Sequence, residues 1–305
     1  IKSLKKAARQ SIGPELKKRV QIIIDSGLIE LNDDFKIYWN NFAIAKLLPG
    51  NDYLNPNFEL IVDEIIEKEQ KQKLIDFIYN WLHKKINNVL KSLIDLKNLK
   101  DKNSSIKALA YQLYENNGVL KRVQVSEYLK SLGQNERKIL RDLGVKFGRY
   151  HVFLYQLIKP GAVSLRTLLW KNFHQKYYNL KPPTFGLNFL DDRNSRNKNF
   201  MLLCGFEKFD SYYVRIDILE RLFMQIINAD AKENKEIKMI PEMLNLLGCS
   251  KENFKKLLKE MGYKVFDKKD ETFFIYNPTK PLKKNSMKKI SSENPFKILK
   301  NLNLR

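Results

Sequence analysis

The sequence is poor in the residues that build metal sites and disulfide frameworks. Its 305 residues include 2 cysteines and 3 histidines. Cys204 and Cys249 are too few for a disulfide scaffold, and the Cys and His positions match no zinc-finger spacing. Long apolar runs are also missing, because Lys or Asn interrupts each one before the ~20 residues that a membrane-spanning helix needs. Residues 1–10 are basic and amphipathic rather than a signal peptide, so we expect a soluble, intracellular protein.

Catalytic signatures are missing as well. No Gly-x-x-x-x-Gly-Lys-Ser/Thr phosphate loop occurs, so the acidic pair Asp63-Glu64 has no nucleotide to serve. Neither Gly-x-Ser-x-Gly nor His-Glu-x-x-His occurs, and no Cys and His lie at a useful spacing. We interpret the pair Asp191-Asp192 as solvated connector residues and His83 as a surface or core-edge histidine. The sequence therefore predicts no catalytic residue, metal or cofactor on this chain.

Lysine is what the sequence has in abundance. Lys and Arg number 56 against 34 Asp and Glu, a formal net charge of +22, and only 12 of the 56 are Arg. A basic surface attracts phosphates and releases their counterions, which indicates RNA or DNA as a partner. The alternative is compositional, since an A- and T-rich coding sequence raises Lys, Asn and Ile together. The location of the charge has to decide between the two.

The apolar residues predict the fold class and the domains. They make up 43% of the chain and aromatics 11%, enough for a real core, and the length favours at least two domains. Apolar positions at helical spacing predict a mainly α fold with small β elements (α+β), a helical bundle followed by a winged helix-turn-helix unit. The predicted order is N-terminal helices and a β-hairpin over 1–54, a helical bundle domain over 55–178, a connector over 179–200, a winged-helix-like domain over 201–277 and a basic disordered tail over 278–305.

Three local patterns in the N-terminal half make specific predictions. Gly13-Pro14 predicts a break between two short helices. Asn40-Asn41, between two apolar stretches, predicts a β-hairpin, because Asn tolerates positive φ. Apolar spacing predicts one long helix over about 69–96.

The most ambiguous motif lies between Gly144 and Gly148. The two glycines bracket a turn that brings together Lys146, Arg149 and His151. Gly-x-x-x-Gly beside basic residues is a weak signal for a phosphate-binding loop, and a tight structural corner is the favoured alternative.

The C-terminal folded segment has the clearest pattern. It predicts a helix over 214–227, a short helix ending at Leu247, a third helix capped by Ser250, and a strand, turn and strand over 263–276. This order is the layout of a winged helix-turn-helix, in which the third helix contacts nucleic acid. The alternative is that such a domain acts as a protein–protein adaptor.

Lysines lie on the elements that such a domain uses to contact nucleic acid. The predicted interface consists of Lys251, Lys255 and Lys259 as one exposed stripe on the third helix, Lys256 beside them, and Lys264 on the hairpin. Arg, the usual base reader, is missing from this helix, and Asp267 and Asp270 lie in the turn, so backbone phosphate is the favoured target. Beyond Pro278 the tail carries seven Lys and Arg305 against Glu293, a net charge of +7.

Several segments together resemble the C-terminal region of Suv-type DExH helicases, a superfamily 2 family, and especially the bacterial relatives of the mitochondrial degradosome RNA helicase. In chain order the similar segments are 43–50 (AIAKLLPG), 60–64 (LIVDE), 81–82 (WL), 118–120 (GVL), 143–148 (LGVKFG) with Tyr150, His151 and Phe153, 157–160 (LIKP), 214–222 (VRIDILERL) and 241–249 (PEMLNLLGC). The similarity spans about residues 5–266, and LGVKFG is its most specific piece.

The resemblance implies an accessory region that follows two RecA-like ATPase domains, whose ATP, Mg²⁺ and translocation motifs do not occur in this chain. Such a region braces the motor in cis and guides single-stranded nucleic acid, and the start at Ile1 is expected of a fragment of such a helicase. The resemblance implies a protein that is cytoplasmic in a bacterium or lies in the mitochondrial matrix of a eukaryote. The resemblance assigns Lys146, Arg149 and Lys159 to channel or motor-docking contacts. Two alternatives stay open, a free-standing winged-helix regulator and a protein–protein scaffold in RNA decay.

Overall fold

The computed structural model of the chain describes residues 2–61, 66–99, 104–192, 196–229 and 236–276, with side chains from residue 13 onward. The chain divides into two compact units, residues 1–223 and 224–305, which we call unit 1 and unit 2. Both contain helices and antiparallel strands, which confirms the predicted α+β class. Asp63-Glu64 and the predicted tail over 278–305 lie outside the described residues. Within the described residues no helix is long and apolar enough to span a membrane.

Unit 1 begins with a helix and an antiparallel meander. The elements are α1 (Lys2–Ser26), β1 (Ile29–Leu31), β2 (Lys36–Trp39), β3 (Phe42–Asp52) and β4 (Asn55–Leu60), with the four strands adjacent in chain order. Asn40 and Asn41, at φ 44° and 68°, form the β2–β3 turn, which confirms the predicted hairpin.

The predicted break at Gly13-Pro14 was wrong, because α1 continues through Pro14. A proline inside a helix removes one backbone hydrogen bond without necessarily ending the helix. Val20 and Ile23, on the far side of Pro14, are buried in the main core of unit 1 and hold the second half of α1 in place.

The helices that follow form the main core. They are α2 (Lys68–Val89), α3 (Lys91–Lys97) and α4 (Ser104–Glu115). A stripe of apolar residues four apart, Leu74, Ile78, Leu82 and Ile86, is buried along α2. The single helix predicted over 69–96 is interrupted at Leu90, whose φ of −106° and ψ of 22° leave the helical region while its side chain stays buried.

Three sheets with one topology follow within the described ranges. The first contains β5 (Val119–Lys121), β6 (Val145–Phe147) and β7 (His151–Leu154); the second β8 (Phe189–Asp191), β9 (Phe206–Lys208) and β10 (Tyr212–Arg215); the third β11 (Ile237–Lys238), β12 (Tyr263–Lys268) and β13 (Glu271–Tyr276). In each sheet the last strand lies in the centre and pairs antiparallel with both others.

One helix precedes each of these sheets, and one or two helices connect its first strand to its hairpin. The preceding helices are α4, α7 (Pro160–His174) and α9 (Ile216–Ala229). The connecting helices are α5 (Ser126–Ser131) and α6 (Gln134–Asp142) in the first sheet, α8 (Lys198–Leu203) in the second, and α10 (Pro241–Leu247) and α11 (Lys251–Glu260) in the third. The division between the two units falls inside α9.

A glycine marks the same point in all three repeats. Gly144, Gly205 and Gly262 lie between the last connecting helix and the hairpin, at φ 91°, 85° and 92°. Each glycine N–H donates to the carbonyl three residues earlier, at 2.8, 2.9 and 3.1 Å. A left-handed residue that ends a helix favours glycine, which has no Cβ to clash. The three hairpins are therefore structurally equivalent, although sequence analysis did not predict this repeat.

Helix α7 holds the elements of unit 1 together. The guanidinium of Arg166 is fully buried and donates to the carbonyls of Asn117, Leu157 and Leu203, at 2.7, 3.1 and 2.5 Å. Burial lowers the pKa of Arg166 to about 10, so the group stays charged at neutral pH. The predicted connector over 179–200 contains β8, whose Leu190 is buried in a core that α7 also lines.

Candidate nucleic-acid interface

The turn of the β6–β7 hairpin binds a carboxylate. The backbone N–H of Arg149 donates to Oε2 of Glu220 at 2.5 Å, and the N–H groups of Tyr150 and His151 both donate to Oε1 at 2.9 Å. Consecutive N–H groups that converge in this way form an anion site. A side chain of the protein itself, on α9, fills that site.

Gly148 makes room for the carboxylate. A Cβ added at this position would lie 2.3 to 2.6 Å from the carboxyl atoms of Glu220, far inside van der Waals contact. The glycine is thus explained by the close approach of an internal carboxylate. This geometry favours the structural-corner interpretation of the Gly144–Gly148 motif over a phosphate loop.

His151 lies beneath the turn between two carboxylates. Its side chain is 2% exposed, with Nε2 2.9 Å from Oε2 of Glu207 and Nδ1 3.5 Å from Oε1 of Glu220. Burial alone would lower the pKa of His151, but the hydrogen bonds and charges of Glu207 and Glu220 outweigh burial and raise it. His151 is therefore held toward its charged form.

Lys121 completes this buried network. Its Nζ lies 2.6 Å from Oε1 of Glu207. Burial favours the neutral form of Glu207, but its contacts with His151 and Lys121 outweigh burial and lower its pKa. The network joins β5, β7, β9 and α9, so it braces the sheet of β5, β6 and β7 against the sheet of β8, β9 and β10.

The three basic residues assigned around this corner are all exposed. Lys146 lies on β6 and Lys159 directly precedes α7. The guanidinium of Arg149, at the hairpin tip, lies 5.6 Å from the ring centre of Phe223. The corner thus combines a neutralised interior with a basic rim.

In unit 2 the third predicted helix forms as α11. The hydroxyl of Ser250 accepts from the N–H of Asn253 at 3.2 Å, which confirms the predicted N-cap. Phe254, Leu257 and Leu258 are buried. The side chains of Lys251, Lys256 and Lys259 are exposed on α11, as is that of Lys264 on β12.

Lys255 does not belong to an exposed stripe, which corrects the prediction. Its side chain is 19% exposed, and Nζ lies 3.1 Å from Oδ2 of Asp267 and 3.8 Å from Oε1 of Glu252. The hydroxyl of Thr272 also donates to Asp267, and together with Lys255 it lowers the pKa of that carboxyl. Spacing by four places lysines on one face of a helix, but it does not reveal that strand β12 sets a carboxylate opposite one of them.

Sequence analysis missed an aromatic pair on the third sheet. Phe266 on β12 and Phe273 on β13 are cross-strand partners, with ring centres 6.3 Å apart and planes 16° apart. Nζ of Lys268 lies 5.1 and 6.0 Å from the two ring centres. Period-two spacing along both strands was the signal that could have found this face.

Of the pair Asp191-Asp192, the first is exposed and the second has a structural role. Asp192 was interpreted as a solvated connector residue; instead its side chain is 4% exposed and paired with Lys208, and it accepts from the N–H of Arg196 at 3.0 Å. In the part of the chain that the structure describes, no group of three or more His, Cys, Asp or Glu is arranged to hold a metal ion.

The chain matches no protein-family model, no curated protein and no solved structure.

Proposed function

We propose that unit 2 is a winged helix-turn-helix domain that binds nucleic acid through backbone phosphates. The observation that carries this proposal is the exposed position of Lys251, Lys256 and Lys259 on α11. The order β11, α10, α11, β12, β13, with β13 in the centre of the sheet, supports the winged-helix assignment. In that assignment α11 is the helix that contacts the nucleic acid. Ammonium groups on one helix attract phosphates without reading bases.

We also propose that the chain is the C-terminal accessory region of an ATP-dependent Suv-type helicase, acting in cis with a RecA-like core that binds ATP and Mg²⁺. The support is that two helicase-like segments contact each other, since Glu220 of 214–222 binds the turn that follows 143–148. The role of such a region is to brace the motor and guide single-stranded RNA or DNA. The proposed channel or motor-docking residues are Lys146, Arg149 and Lys159.

A charge-reversal series tests the nucleic-acid proposal. The full chain carrying K251E, K256E and K259E is titrated with a single strand and a duplex across a range of salt concentrations, with fluorescence anisotropy as the readout. On the single strand we expect weaker binding and a plot of log affinity against log salt that is shallower by about 0.7 for each lost phosphate contact.

The matched control is K68E, K71E and K84E, three exposed positions on α2 with the same change of charge. We expect the control to bind much more tightly than the α11 variant. Equal losses in both variants would show that overall charge, rather than α11, governs binding and would contradict the proposal.

The scaffold alternative has one observation in its favour. Residues 236–276 contain eight Lys against seven Asp and Glu, so the described part of unit 2 is nearly neutral. A chain that binds neither RNA nor DNA at low salt supports a protein–protein scaffold. A sharp preference for one duplex sequence supports the free-standing regulator.

A further inference from the structure

One face of the third sheet carries aromatic and basic side chains together. Lys264, Phe266 and Lys268 alternate along β12, opposite Ile275, Phe273 and Glu271 of β13, and Lys238 of β11 pairs with Phe273. Because successive side chains of a strand point to opposite faces, these residues share one face, which we call the platform.

The opposite face of the sheet belongs to the core of unit 2. Tyr263, Thr272 and Phe274 point that way and are buried, whereas Phe266 and Phe273 are half-buried and Lys264 is exposed. A soluble domain places two stacked phenylalanines away from its core only at some cost, since this surface stays in contact with water. A cross-strand aromatic pair stabilises a sheet by itself, and the lysines beside this pair make it a candidate binding surface as well.

We propose that the platform binds single-stranded nucleic acid by stacking bases on Phe266 and Phe273. This proposal rests on the proposed function and adds the site and its chemistry. Aromatic rings accept every base, because every base has a π-face, and lysines beside the rings contact the phosphates that connect the bases. The platform supplies both parts, with Lys238, Lys264 and Lys268 around the two rings. Lys238 forms an exposed ion pair with Glu271 on the same face, and a phosphate has to compete with that carboxylate.

Lys268 covers the rings in the free protein. Its Nζ lies near both ring centres and is held 2.8 Å from a carboxylate oxygen of Glu236. The side chains of Lys268 and Glu236 are 53% and 28% exposed, and ion pairs that exposed contribute little to stability. An incoming base can therefore take the place of Lys268 on the rings and leave its ammonium group beside a phosphate.

Charge favours a nucleic acid over an apolar protein surface as the occupant. The lysines at both edges of the ring pair interrupt the apolar surface that a docked hydrophobic helix would need. Residues 236–276 alone are close to neutral, but residues 278–305, which follow β13 directly in the sequence, add a charge of +7. Stacking supplies sequence-tolerant contact where the local charge is low.

The test compares loss of the rings with loss of the charges in the full chain. F266L/F273L keeps apolar side chains without rings, and F266Y/F273Y keeps the rings as the matched control. The ligands are a single-stranded oligonucleotide and an abasic strand of the same length. For the Leu variant we expect about tenfold weaker binding to the normal strand, an unchanged salt slope and unchanged binding to the abasic strand.

Each outcome decides a separate question. A Leu variant that binds the normal strand as tightly as the natural chain overturns the platform, while loss of binding in K251E/K256E/K259E would still support the proposed function. A natural chain that binds no strand at all overturns both. F273W provides a direct readout that does not depend on the Leu variant folding: its added fluorescence should be quenched by the normal strand and not by the abasic strand, and no quenching overturns the platform.

Discussion

The hairpins β6–β7 and β12–β13 follow the same glycine junction and pair in the same topology, yet they differ in where their polar groups lie. In β6–β7 the turn binds the carboxylate of Glu220, and His151 is buried between two acids. In β12–β13 the rings and most of the lysines lie on the outer face. The same hairpin topology therefore forms buried contacts with carboxylates in unit 1 and carries rings and lysines on the face away from the core in unit 2.

The largest expected effect comes from removing the carboxylate of Glu220, which holds the turn between β6 and β7. Glu220→Ala leaves three backbone N–H groups without their acceptor and removes one of the two carboxylates beside His151, so we expect a loss of about 3 kcal/mol in the free energy of unfolding. Urea denaturation measures it, with Glu127→Ala at an exposed site on α5 as the control. A loss no greater than that of the control would show that the hairpin needs no internal anion.

The next largest expected effect on stability comes from a substitution at Gly148. Gly148→Ala places a methyl group against Glu220, and we expect a loss of about 2 kcal/mol because the carboxylate must shift from the turn. Gly161→Ala is the matched control, since a Cβ there meets nothing within 4 Å and alanine favours the helix. Thermal unfolding of the two variants should move in opposite directions; equal shifts would contradict the explanation for Gly148.

The contacts of His151 with Glu207 and Glu220 should also make the stability of unit 1 depend on pH. The pKa of His151 is raised in the folded chain, so its contribution to stability is present below its unfolded pKa and is lost as pH rises through its folded pKa. The pKa of Glu207 is lowered, so its contribution is lost only as pH falls through that lower value. Between the unfolded and the folded pKa of His151, stability should fall with rising pH by at most about 1.4 kcal/mol per unit from this group.

Urea denaturation at a series of pH values checks this dependence. His151→Gln should remove the part of the slope that lies near and above neutral pH. An identical pH profile for the natural chain and the variant would mean that His151 is not charged between Glu207 and Glu220.

The smallest expected effect separates two neighbouring lysines of unit 2. Lys255→Met breaks a partly exposed ion pair with Asp267, so we expect less than about 1 kcal/mol of lost stability and little change in strand affinity. Lys256→Met, at an exposed position, should weaken strand binding and leave stability unchanged. The reverse pattern in anisotropy and denaturation would contradict the assignment of Lys255 to the ion pair with Asp267 rather than to strand binding.

Local signals predicted much of the fold. Helical spacing along α2, the Asn40-Asn41 turn and the Ser250 cap each depend on residues a few positions apart. The turn and the cap formed as expected, and the helix formed as far as Val89. Predictions failed where a distant contact decides the outcome. Packing of Val20 keeps α1 continuous past Pro14, and no local pattern reveals it.

The candidate site shows the same limit. Exposed lysines on α11 followed from spacing, but the partner of Lys255 lies 12 residues away on a strand. The Gly144–Gly148 motif favoured a structural corner over a phosphate loop, but it did not reveal what occupies the turn between β6 and β7. That carboxylate comes from Glu220, about 70 residues further along the chain. A repeat of three glycine junctions was hidden because the hairpins share backbone geometry rather than side chains.

Hydrogen–deuterium exchange of the full chain, with and without a single-stranded oligonucleotide, tests the central contrast most directly. We expect slower exchange of the backbone amides over 251–276 on binding. Over 144–154 we expect little change, because the N–H groups of the turn already donate to Glu220. Protection over 144–154 with none over 251–276 would contradict both expectations.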